Sequence, residues 1–158
     1  MELTKFDIIR DAVPVQLRDP TDAGVLLWDK KDPNDPSKET NDQSLWKPVS
    51  MLIYGRDSKP FKNRQRAIQD KRLQEAQTSA MNKGQKAKVT GEVVELENRR
   101  TLLACIAGWE NIEVDGAPLE VSEENANALL DRFPWIEEQV DTAIMDRSNF
   151  IKPSSKTS

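Results

Sequence analysis

Hydrophobic and polar positions change period near residue 58. Before it, Val13, Val15 and Leu17 alternate with Pro14, Gln16 and Arg18, the two-residue repeat that places apolar side chains on one face of a strand. The turn formers Asp19-Pro20-Thr21-Asp22-Ala23-Gly24 follow, and Val25 to Trp28 reads as a second strand. Residues 29–44 contain no Val, Ile, Leu, Met or aromatic side chain, which predicts an exposed, mobile loop. Leu45 to Tyr54 resumes as a β-rich run closed by Gly55. Residues 1–57 are therefore expected to form a small antiparallel sheet with one long polar loop.

Beyond residue 58 the repeat becomes helical. Ser58 followed by Pro60 is a helix start, because the hydroxyl accepts from free backbone N–H groups and proline fits the first turn. The apolar stripe of that helix is thin, with Phe61, Ile68, Leu73 and Ala76 among long polar side chains, and Asn82 to Lys86 is expected to end it. Thr90 caps a second helix with Val93, Leu96, Leu103 and Ile106 on one face, terminated at Gly108. Ile112 to Val121, around Asp115-Gly116, reads as a hairpin-like link. Ser122 and the acids Glu123-Glu124 open a third helix with Ala126, Leu129, Leu130 and Phe133. Pro134 opens a fourth, with Ile136, Val140 and Ile144 at i, i+4 and i+8, and Lys152 to Ser158 is expected to be a flexible tail. The predicted class is α+β: a small N-terminal antiparallel β-sheet (1–57) followed by a mostly α-helical C-terminal region (58–151).

Composition sharpens this pattern. Leu, Ile, Val and Phe make up 36 of 158 residues, about 23%, which suffices for folding but leaves little apolar surplus. The net charge of -4 conceals an uneven distribution. Residues 1–58 carry 8 basic and 11 acidic side chains, residues 59–100 carry 11 and 5, and residues 101–158 carry 4 and 11. A basic middle between acidic ends permits neighbouring copies to associate, so a homo-oligomer is one expectation.

Candidate chemistry is sparse. Without histidine there is no Ser-His-Asp triad, His-ligated metal or His general base, and a single cysteine, Cys105, excludes an internal disulfide. Cys105 lies beside an apolar stripe, where a small buried hydrophobe is the expected role. The acids of residues 29–42 lack the glycine and spacing of an EF-hand loop, and no phosphate-binding glycine motif occurs. No catalytic residue, metal or cofactor is expected. No signal peptide or membrane span is legible, so a soluble protein inside the producing cell is expected. The basic face Lys59, Lys62, Arg64, Arg66, Lys71 and Arg72 could neutralise phosphates, yet it spreads around the helix with only Phe61 available for stacking. An acidic protein partner suits it better than nucleic acid. Trp28, Trp46, Trp109 and Trp135 are read as core anchors, one or two of them free for a partner groove.

Three segments carry a resemblance: Gly55-Arg56-Asp57-Ser58-Lys59-Pro60-Phe61, the stretch Ala107 to Leu130, and the close from Pro134 to Ile151. In this order the chain resembles the tail assembly chaperones of tailed bacteriophages with long non-contractile tails. The resemblance implies a morphogenesis factor in the host cell cytoplasm, absent from the mature virion, that binds the tape measure protein and assists tail tube assembly. It also implies contact with the major tail tube protein, and a longer form made by ribosomal frameshift near Lys152 to Ser158. Such a chaperone needs apolar helix faces on a charged body, which marks Leu96, Leu103, Ile106, Trp109, Trp135, Ile136, Val140 and Ile144 as candidate partner-binding residues. The competing expectations are a structural tail or head–tail joining protein, and a small nucleic-acid-binding regulator using the basic helix.

Overall fold

The N-terminal strands are short because each exchanges one pairing partner for another within a few residues. The computed structural model describes residues 1–81 and 89–153. Strand β1 (Val13–Gln16) pairs antiparallel with a later strand of residues 50–53, and the same chain then continues as β2 (Arg18–Asp19), which pairs with β3 (Asp22–Leu26). Chain direction is kept through β4 (Trp28–Asp29), which pairs with β7 (Lys47–Pro48), while β5 (Lys31–Asp32) and β6 (Asp35–Glu39) close the hairpin between them. Where the partners change, three backbone bonds form a ring. The Leu17 N–H donates to Val49 O (2.8 Å), Val49 N–H to Leu27 O (3.2 Å), and Leu27 N–H to Leu17 O (2.9 Å).

This arrangement corrects the loop expected at 29–44. The segment lacks apolar side chains, but its aspartates hold successive turns by accepting backbone N–H bonds: Asp29 from Lys31, Asp32 from Asn34, Asp35 from Ser37 and Asp42 from Ser44. Trp28 and Trp46 pack together with ring centres 6.2 Å apart, and the Trp46 indole N–H donates to Thr40 O at 2.8 Å. Polar turn chemistry and one aromatic pair thus order a hairpin that hydrophobic pattern alone does not reveal.

Strand β8 (Ser50–Ile53) is the centre of the main sheet, flanked by β1 and by β9 (Ile106–Glu110). The central sheet therefore takes its third strand from the region expected to be helical. Two helices connect β8 to β9. Helix α1 (Lys59–Met81) starts on the buried Ser58, whose hydroxyl donates to Gly55 O (2.6 Å) and accepts from Phe61 N–H (3.4 Å). Helix α2 (Gly91–Cys105) is capped by Thr90, as its sequence predicts. The end expected for α1 at Asn82 to Lys86 lies outside the described residues. Helix α2 stops three residues before the expected Gly108: Ile106 is already extended, and Tyr54 N–H donates to Cys105 O at 2.8 Å. Pairing with β8 buries Trp109 and Gly108, a gain that continued helix would forgo.

After β9, strands β10 (Glu113–Val114) and β11 (Ala117–Pro118) form the hairpin expected at Asp115-Gly116. Both turn residues have positive φ, 54° and 81°, the backbone such a two-residue turn requires. Helices α3 (Glu123–Arg132) and α4 (Pro134–Met145) follow, and a short helical turn carries Phe150 back into the core. Along α4, Val140 and Ala143 pack near Val15, Leu17, Met51 and Ile53 of the sheet. The Arg99 guanidinium ties α2 to both later helices, donating to Asn127 (2.9 Å), Asp131 (2.6 Å) and Glu137 (2.5 Å). The fold is α+β: N-terminal antiparallel strands followed by helices, with β9, β10 and β11 between α2 and α3.

Candidate functional site

Helix α1 spans 23 residues, yet none of its side chains is buried; its main packing partner is α2. Phe61 and Ile68 of the expected stripe are half-buried, but Leu73 is 64% exposed, and Ala76 faces water too. Further along the pair, Met81 is 84% exposed and Leu96 51%, with Val89 and Val94 also open to solvent. The two helices are joined across their interface by a charge pair, Arg72 donating to the buried Glu97 at 2.7 Å. Thr101, one turn on, donates its hydroxyl to Glu97 O at 2.9 Å.

At the foot of this helical pair lies a cleft of about 530 Å³. Arg64 of α1 forms one side, and Arg100, Leu103 and Ala104 of α2 another. Ile106, Ala107 and Trp109 enter from β9, and Val121, Ser122, Glu123 and Ala126 close it from the start of α3. Trp109 is anchored there because its indole N–H donates to Leu119 O at 2.9 Å. Its position is fixed further by Gly108, where a Cβ would stand 3.3 Å from the Val121 side chain.

The cleft gathers four residues singled out from sequence: Arg64, Leu103, Ile106 and Trp109. Leu96 lies on the same face of α2, one and two turns before Arg100 and Leu103. The other candidates separate. Ile136, Val140 and Ile144 are buried in the core against the sheet and neighbouring helices, so they present no face to a partner. Their spacing marks a one-sided helix, but the covered side belongs to this chain. Trp135 is half-buried, packed edge-on to Phe133 at 6.2 Å, and lines a second cleft of about 400 Å³ with Trp28, Leu27 and Ile112. Of the basic residues, Lys59, Lys62, Arg66 and Lys71 are exposed; Arg64 turns into the first cleft, and Arg72 is held by Glu97. The six cations thus form no single face.

No family model, curated protein or solved structure matches the chain. Cys105 is buried, and burial pushes its thiol up to about 12, where the reactive thiolate is not formed near neutrality. Among the described residues no cluster of three metal-ligating acids or cysteines occurs, and no helix is long and apolar enough to cross a membrane. Arg100 and Val121 were not singled out from sequence. Arg100 carries a signal in its spacing from Leu96 and Leu103; Val121 becomes recognisable only when α3 folds back over β9.

Proposed function

We propose that this chain is a tail assembly chaperone of a tailed bacteriophage, which binds the tape measure protein in the host cell cytoplasm and assists tail tube assembly without entering the mature virion. The observation that carries the proposal is the α1–α2 pair, whose Leu73, Met81 and Leu96 stand open to solvent above a cleft lined by Leu103, Ile106 and Trp109. A holding chaperone has to cover apolar helix faces reversibly, and exposed apolar side chains on a charged body supply such a surface. The resemblance of Gly55 to Phe61, Ala107 to Leu130 and Pro134 to Ile151 supports the same role.

Co-expression with a tape measure protein encoded beside this chain tests the proposal. A rise in the soluble fraction of that protein, and a complex of the two on size exclusion, is the expected result. No gain in solubility overturns it. Abundant peptides of this chain in purified particles would instead favour a structural tail or head–tail joining protein.

A further inference from the structure

Six arginines of this fold have partners within it. Arg72, Arg99, Arg132 and Arg147 each pair with a carboxylate, and Arg10 and Arg18 donate to backbone carbonyls. Of the four arginines without a side-chain partner among the described residues, Arg56, Arg64, Arg66 and Arg100, two stand together on the cleft wall. Neither Arg64 nor Arg100 has an ion pair among the described residues; Arg64 Nε is shielded from water without a hydrogen-bond acceptor, as is Arg99 Nε, but Arg99 bonds carboxylates through its other two nitrogens whereas Arg64 does not. A shielded guanidinium donor without an acceptor is costly and uncommon in folded proteins. The one acid on the cleft wall, Glu123, sits in the first turn of α3, where it complements the positive end of that helix. The cleft therefore combines an apolar floor with a cationic rim whose hydrogen-bonding capacity is unused.

We propose that this cleft docks an acidic amphipathic helix of the client, with apolar side chains on Leu103, Ile106 and Trp109 and a carboxylate between Arg64 and Arg100. The inference rests on the chaperone role proposed above and specifies the chemistry of its client. Charge complementarity selects the occupant, since planar guanidinium forks match carboxylates. The volume of about 530 Å³ is ample for bulky anchoring side chains. Spacing on α2 adds a constraint on the partner. Leu96, Arg100 and Leu103 stand at i, i+4 and i+7, so a helix laid along them meets apolar, cationic and apolar positions within one heptad. The matching client segment carries Leu, Ile or Met one heptad apart with Asp or Glu between them.

The test uses the full chain and two fluorescein-labelled 21-residue helical peptides. Both have Leu at the first and fourth positions of every heptad; one has Glu at the flanking positions and the other Lys. Fluorescence anisotropy is expected to show the Glu peptide binding at least tenfold tighter, with affinity falling as salt rises. The double variant Arg64→Glu/Arg100→Glu should reverse that preference, while Lys38→Glu, remote from the cleft, should leave it intact. Circular dichroism checks that the double variant remains folded, and Arg64→Gln/Arg100→Gln, without charge reversal, should abolish the preference. Equal binding of the two peptides, or an unchanged preference in both double variants, overturns the inference. So does a wild-type dimer on light scattering that the Gln variant loses, which would give the cleft to a second copy. The two proposals fail separately: a tape measure protein rescued equally by wild type and Arg64→Glu/Arg100→Glu removes the cleft, whereas one rescued by neither removes the chaperone role.

Discussion

Gly55 occupies a place where the ring of Phe150 leaves no room for a side chain. A Cβ there would lie 2.8–2.9 Å from three ring atoms, and Phe150 is itself held by full burial. Gly55→Ala is expected to cost about 1–3 kcal/mol, the usual range for overpacking a core, read as a lower urea midpoint with an unchanged slope. Shortening the ring in Gly55→Ala/Phe150→Leu should recover part of the loss, since the clash disappears even as apolar contact is given up. The same neighbourhood holds Asp57, which accepts two bonds from the Arg147 guanidinium at 2.9 and 3.1 Å while its own carbonyl accepts from Arg10. The Arg147 hydrogen bonds hold the Asp57 carboxyl below its ordinary value. A six-residue stretch, Gly55 to Pro60, thus joins sheet, closing helical turn and first helix.

At the scale of elements, Ser58 decides where α1 begins. Its buried hydroxyl serves both the Gly55 carbonyl and the Phe61 N–H, so Ser58→Ala removes a cap and leaves a buried carbonyl with one partner fewer. A loss of about 1–2 kcal/mol is expected, measurable by thermal melting, with Ser58→Thr milder. Caps at Ser58, Thr90 and Ser122, the Asp115-Gly116 turn and the Pro134 start were all legible in the sequence, because each is a local bargain between a side chain and its own backbone. Strand β9 was not. Leu103 and Ile106 keep a helical spacing, and only the distant partner β8 makes the extended form of residues 106–110 the better one. The cleft was half legible for the same reason. Periodicity identified Leu96, Leu103 and Ile106 as one face, but it could not distinguish a face left to solvent from the Ile136, Val140 and Ile144 face covered within the chain.

The whole molecule has an unusual response to pH, because it has no histidine. Between about pH 5.5 and 8 no side chain of ordinary behaviour changes charge, so the melting temperature should be nearly flat there. On the acid side, the hydrogen bonds from Arg147 and Arg132 lower Asp57 and Asp115 relative to the unfolded chain. Their contribution is fully present above about pH 4, the unfolded aspartate value, and is lost as pH falls through the lower folded values. Asp57→Asn should therefore lower stability at neutrality and flatten the acid limb. On the alkaline side, burial raises Cys105 to about 12. The unfolded thiol ionises first, so stability declines from about pH 8.5 upward, and Cys105→Ala should reduce that slope. Melting curves of the three proteins across pH 3 to 11 check both signs.

The ring of bonds among Leu17, Leu27 and Val49 sets a kinetic condition on the N-terminal half. Each strand segment ends its pairing with one neighbour where pairing with the next begins, so opening any one hairpin removes a member of the ring and exposes the other two bonds. Amide hydrogen exchange reads this directly. The three amides should exchange with a common opening free energy, slower than the exposed tip at residues 33–38, and Leu27→Pro, which removes the Leu27 N–H itself, should release the remaining two, those of Leu17 and Val49, together. Separate exchange rates for the three would mean that the hairpins open independently.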